Sequence, residues 1–162
     1  MTTFLSNREI YERVIRETVP LARERLWIAT ADIKDMYVDA GGRDMVPFLE
    51  VLDGMLKRGV EVRLIHAKEP GPNWREDFDR HPGLWEGMER MLCPRVHFKC
   101  IIVDGRTAYF GSANLTGAWT DDDLTATSGW TRTTDGTTPS NTGATTGSVN
   151  YVHHVGHVTS NT

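Results

Sequence analysis

Cysteine is scarce in this chain, with two in 162 residues, Cys93 and Cys100. Two thiols exclude a disulfide scaffold, and their spacing matches no metal-binding pair. Cys100 alternates with apolar neighbours and reads as a small core residue. An excess of basic charge is also lacking: 18 Lys+Arg against 22 Asp+Glu give a formal net charge of -4. Bulk charge thus supplies no nonspecific attraction to nucleic acid or membrane, although a local basic groove stays open. No apolar run approaches the ~20 residues that cross a bilayer. The opening MTTFLSNREIYERV has no basic-then-apolar signal pattern, so a soluble, cytoplasmic chain is expected. The length allows one domain that buries a core without metal or disulfide staples.

Composition changes near Trp119. Residues 1–118 hold 17 of the Lys+Arg and 18 of the Asp+Glu, whereas residues 119–162 hold one Arg, four Asp and a preponderance of Thr with Gly, Ser and Asn. Such a tail has too few large apolar side chains to offset the entropy of ordering it. Two parts are therefore expected: a domain over 1–118 and a disordered Thr/Gly-rich tail over 119–162, with at best a loosely attached strand near YVHHVGHV. His153, His154 and His157 in that octet lack a second ligand cluster and a helix signal, so they read as exposed tail. No metal site and no cofactor are expected.

The first part is regularly patterned. Ser6-Asn7-Arg8-Glu9 matches a capping box, with Leu5 and Ile10 at the two positions of a hydrophobic staple. Ile10, Val14 and Ile15 then fit a helical stripe, which Pro20 should kink or restart. RLWIATADI (25–33) is strand-like. Phe48, Leu49, Leu52, Met55 and Leu56 make the buried stripe of a second helix, with Gly59 as its C-terminal cap. VEVRLIHA (60–67) is the next strand, so strand, helix and strand form a parallel crossover. KEPGPN is a loop by its Pro and Gly, and LWEGMERML reads as a short helix. The sum is an α/β domain, a layered mixed β-sheet flanked by helices.

VHFKCIIVDGRTAYFGSAN (96–114) carries the chemistry. Alternation puts His97, Lys99, Ile101 and Val103 on one face of a strand, and Phe98, Cys100 and Ile102 on the other. Asp104-Gly105 is a strong hairpin signal between two apolar runs. The returning strand brings Ser112 and Asn114 beside the first. If those two share the face of His97 and Lys99, four polar side chains converge near one end of the hairpin. A cation, two neutral donors and a glycine that admits close approach suit an anion with several oxygens, phosphate best. His97 beside it is a candidate nucleophile or general acid.

The full arrangement, His97-x-Lys99-x4-Asp104-x6-Gly111-Ser112-x-Asn114, matches the signature HxK-x4-D-x6-GSxN. In this the chain resembles the phospholipase D superfamily, also called the HKD family, over residues 25–118. The resemblance implies a phospholipase D-like half fold and a metal-independent phosphodiesterase. It implies His97 as the nucleophile that forms a phosphohistidine, and Lys99 and Asn114 as holders of phosphate oxygens with support from Ser112. Asp104 counts with His97 and Lys99 in the motif's catalytic set and, lying at the turn, looks structural. Because family sites use two motifs and this chain has one, the resemblance also implies a homodimer in which His97 meets its symmetry mate. Small single-motif members are typically nucleases, so a nucleic-acid phosphodiester is the expected substrate; Arg95 and Arg106 flank the hairpin and read first as solvated surface charge, with contact to the substrate backbone as the alternative.

The chain departs from the family after Asn114. Members continue into a strand that carries a Glu orienting the catalytic histidine, whereas the tail here has no Glu. Asp121, Asp122 and Asp123 lie near in sequence, and Asp32, at the end of the first strand, is the available stand-in. Two alternatives therefore stay open: an inactive phosphate-binding or dimerisation module, and a phospholipid phosphodiesterase.

Overall fold

The computed structural model describes residues 2–6, 8–39, 45–116 and 155–160. The boundary expected near residue 118, and His153 and His154, lie outside them. Within them the chain runs β1 (Thr2–Ser6), α1 (Arg8–Ile10), a π-helix (Tyr11–Thr18) and a 3-10 turn (Val19–Leu21). Next come β2 (Arg25–Thr30), β3 (Tyr37–Asp39), β4 (Met45–Pro47) and α2 (Phe48–Lys57). β5 (Glu61–His66), α3 (Pro72–Asp79), α4 (Pro82–Gly87) and β6 (Met88–Leu92) follow. The hairpin of β7 (Lys99–Val103) and β8 (Thr107–Gly111) and a last strand, β9 (Val155–Ser160), complete it.

Seven strands form one mixed sheet in the order β1-β9-β8-β7-β2-β5-β6. β2, β5 and β6 are mutually parallel, as the strand–helix–strand reading requires, and β7, β8, β9 and β1 alternate antiparallel beside them. Paired residues share a face. Ile28 therefore lines up with Leu64 and Ile101, and Leu26 with Val62 and Val103. That face is the core: these side chains join Ile10, Val14, Ile15, Leu49, Leu52, Met55 and Phe78 in one buried cluster. At ~25 cal/mol per Å² of apolar surface removed from water, this layer is what holds the helices to the sheet.

Several elements differ from expectation. LWEGMERML is a helix only as far as Gly87; Met88–Leu92 pairs with β5 as an edge strand. KEPGPN is a loop only to Gly71, because Pro72 occupies the first turn of α3, where its missing N–H costs nothing. Leu5 and Ser6 belong to β1 rather than to a staple and cap, although Leu5 and Ile10 are both buried. Gly59 has φ of 84°, the left-handed conformation a helix C-terminus demands.

Candidate active site

β7 and β8 are joined where expected. Asp104 (φ 53°) and Gly105 (φ 66°) both turn through the left-handed region, as a tight hairpin requires. The Asp104 carboxylate does more than turn the chain. Its Oδ1 accepts the backbone N–H groups of Arg23 (3.1 Å), Glu24 (2.8 Å) and Arg25 (3.0 Å). Partial burial works against the carboxylate, but those three amides, with Arg106 nearby, hold its pKa below the ordinary value. Asp104 thus pins the hairpin to the start of β2, at the opposite end of β7 from His97.

His97 lies outside β7, on the connection from β6. That connection spans three strand spacings, about 14 Å, against a reach of about 23 Å for the steps from Leu92 to Lys99 fully extended. It must therefore pass across the carboxyl ends of β5 and β2, the edge where ligands gather in α/β sheets. A turn closed by Val96 N–H to the Cys93 carbonyl (2.9 Å) starts it. Strand alternation is then not what brings His97 to Lys99. The Lys99 side chain folds back instead: Nζ donates to the His97 carbonyl at 2.7 Å and sits 3.3 Å from Nδ1. His97 is exposed, whereas Lys99 is 9% exposed. Desolvation lowers the Lys99 pKa.

Across the hairpin, Lys99 pairs with Gly111. The sequence motif reserves this glycine for close approach, and what approaches is internal. A Cβ here would collide with the Tyr109 hydroxyl. Burial pushes the Tyr109 pKa up to about 12, although the Ala113 amide favours the anion. β8 ends at Gly111, so Ser112 and Asn114, both half-buried, follow a bend rather than strand alternation. Asn114 Oδ1 accepts the Asp32 N–H at 3.2 Å. Lys34 N–H reaches the Leu115 carbonyl at 3.0 Å. Lys99, Ala113, Leu115 and Thr30 line one small cavity. The edge of the sheet thus gathers His97, Lys99 and the 111–115 segment, and leaves Asp104 apart.

Sequence reasoning missed two supports. Thr30, 2% exposed, donates its hydroxyl to the Asp32 carbonyl (2.7 Å) and accepts the Leu115 amide (3.1 Å), stitching β2 to the segment after β8. His66, wholly buried opposite Thr30, places Nδ1 2.7 Å from the Lys68 carbonyl. For Thr30 the available signal was a polar residue ending an apolar run; for His66 it was a polar residue in register with the buried face of Val62 and Leu64. Burial also raises the Cys100 thiol, opposed by the Ala29 backbone, in keeping with a core residue. Among the described residues no group of three His, Cys, Asp or Glu side chains is placed to hold a metal ion.

Solved structures share this architecture. The chain superposes on Nuc from Salmonella typhimurium, a phospholipase D family member, with TM-score 0.54 at 13% identity, covering 99% of this chain and 82% of Nuc. NucT from Helicobacter pylori gives 0.50 at 16% identity over 71% of this chain and 75% of that one. TrmBL2, an archaeal chromatin protein described as showing a novel mode of DNA binding, gives 0.51 at 11% identity over 71% of this chain, which spans 41% of TrmBL2. At such identities the likeness is one of fold. No curated protein compared with the chain matches it. The family model for the cardiolipin synthase, PLD-like domain matches residues 15–126. That stretch takes in the parallel strands, the hairpin and every residue of the HxK and GSxN motifs, and it makes this chain a member of the phospholipase D-like family.

Proposed function

We propose that the chain is a metal-independent phosphodiesterase acting on nucleic acid, with its site completed by a second copy of itself. The observation that carries this reading is the Lys99 ammonium beside the His97 imidazole, at the sheet edge where the 111–115 segment also arrives. In the first step a bound phosphate oxygen draws Lys99 Nζ away from Nδ1, the His97 ring takes the tautomer protonated there, and the freed Nε2 lone pair attacks phosphorus. The P–O bond to the leaving group breaks, and that oxygen takes a proton from the partner copy's imidazole. In the second step water attacks phosphorus, gives its proton back to that imidazole, and the P–N bond breaks. Lys99, Ser112 and Asn114 offset the charge that spreads over the phosphate oxygens. Asp104 acts at a distance, by fixing the hairpin.

The single motif of a small chain, together with the DNA binding described for TrmBL2 of the same fold, favours nucleic acid over lipid as the substrate. The test is hydrolysis of bis-p-nitrophenyl phosphate and of single-stranded DNA with EDTA present, alongside vesicles of phosphatidylglycerol. Cleavage of the first two that survives chelation and disappears in His97→Ala supports the reading. Turnover of the vesicles alone would replace nucleic acid by phospholipid.

One observation favours a second reading, an inactive phosphate-binding module. An ammonium facing Nδ1 makes that nitrogen an acceptor, so the neutral ring carries its proton on Nε2. Attack through Nε2 needs the other tautomer, which a carboxylate at Nδ1 would hold. Among the described residues no carboxylate forms an ion pair with His97. A folded protein that binds inorganic phosphate yet turns over none of the three substrates would establish this second reading.

A further inference from the structure

Far from His97, the π-helix, the 3-10 turn, β3, β4 and α2 enclose a cleft of about 760 Å³. Its volume is that of a small-molecule site. Ile15, Leu21, Val38, Val46 and Val51 supply an apolar lining, and Leu21 is left 70% exposed. Among the described residues, three arginines stand around it. Arg16 is engaged, by Glu12 at 2.9 Å and Asp39 at 3.1 Å. Arg23 and Arg58 make no ion pair among the described residues. Glu50 also lines the cleft, so among the described lining residues the two guanidiniums outnumber the carboxylate left over once Asp39 is paired.

Gly54 is a separate observation. It lies inside α2, where glycine costs about 1 kcal/mol relative to alanine. Packing does not demand it. A Cβ there would meet only Arg58 Nη1, at an ordinary 3.7 Å, and its φ is not positive. By contrast a Cβ at Gly83 or Gly111 would strike Asp53 or Tyr109. What a side chain at Gly54 would do is occupy the cleft it lines.

We propose that this cleft binds an amphiphile with one apolar tail and an anionic head, the tail along the Ile15–Val51 lining and the head against Arg23 and Arg58. The site is independent of phosphodiester chemistry. Arg23 precedes β2 beside the Asp104 turn, at the other end of β7 from His97.

Decyl phosphate, titrated into the full chain below its micelle-forming concentration, tests the idea by calorimetry. Saturable one-site binding is expected, with decyl maltoside and inorganic phosphate each at least tenfold weaker. Decanoate in a parallel titration separates a carboxylate head from a phosphate head; binding of either supports the site. The pair Arg23→Gln and Arg58→Gln should weaken decyl phosphate at least tenfold. Gly54→Leu should abolish binding without lowering Tm, and His97→Ala should leave binding unchanged. Equal binding of decyl maltoside, or undiminished binding to a folded Gly54→Leu, overturns the proposal. So does a Gly54→Leu protein that changes oligomeric state where the wild type binds no decyl phosphate, because the occupant is then a second copy.

Discussion

Nζ of Lys99 lies 2.7 Å from the carbonyl oxygen of His97 and 3.3 Å from its Nδ1. One ammonium therefore holds both the backbone and the ring of His97, and it must leave Nδ1 before Nε2 can act as a nucleophile. It keeps a third proton for a phosphate oxygen. Two residues apart in sequence, the pair works as one unit because Lys99 anchors β7 and His97 does not belong to it.

Lys99→Met should retain the fold and lose function. The substitution keeps the buried stem and removes a desolvated charge, so Tm should hold or rise. Turnover of bis-p-nitrophenyl phosphate should fall by about 10²–10³-fold. The pH signature has a definite sign. A lysine whose folded pKa is lowered binds fewer protons folded than unfolded, so wild-type stability should climb relative to Lys99→Met as pH rises from the folded value toward 10.5. A flat difference between the two proteins across that range would contradict the burial argument.

Asp104→Asn keeps a residue that tolerates positive φ while removing the charge that three amides share. A loss of about 1–3 kcal/mol is expected from denaturant unfolding at pH 7. Because the folded carboxyl has a lowered pKa, this contribution is full above the ordinary 3.8. It is lost as pH falls through the folded value. Wild type and variant should thus converge in acid, and a gap that persists at pH 2 would mean that charge is not the cause.

Gly111→Ala should cost about 1–3 kcal/mol by forcing a methyl into the Tyr109 hydroxyl. Adding Tyr109→Phe removes the colliding oxygen and should recover part of that loss, although the Ala113 amide then loses its acceptor. A double-mutant cycle measures the coupling. Strict additivity would show that the glycine is needed for something other than room for the tyrosine.

Mixing reports on the shared site. When wild type and His97→Ala are equilibrated in equal amounts, random pairing leaves wild-type homodimers as about a quarter of the dimers. If both imidazoles are required, activity per wild-type chain should drop to about half. Unchanged activity per wild-type chain would point to a site complete within one copy.

The letters of the hairpin carried much of this. Asp104-Gly105 between apolar runs has few other conformations open to it, and Phe48, Leu49, Leu52 and Met55 of α2 and Leu26 and Ile28 of β2 are buried as periodicity requires, whereas buried Asp53 and Ala29 lie outside it. The misses are physical. Met88–Leu92 is an edge strand buried only at Met88, so its mixed MERML pattern resembles a helix surface more than a strand. Thr2–Ser6 becomes a strand only through a partner, Val155–Ser160, at the far end of the described residues, a pairing no local pattern encodes. In the site the residue types were legible but not their geometry. His97 meets Lys99 by a side chain folding backward, and Gly111 makes room for a tyrosine, facts that depend on the connection from β6 and on Tyr109 Oη.

The order β1-β9-β8 has a consequence for how the molecule is made. Thr2–Ser6 is made well before its strand neighbour, Val155–Ser160. Until that segment emerges the nascent chain carries an unpaired strand at Thr2–Ser6 and, at β8, an unpaired sheet edge, both templates for misassembly. Closure of that edge therefore waits for Val155–Ser160 to be made. Stopping translation before Val155 would leave both strands without the partner that joins them.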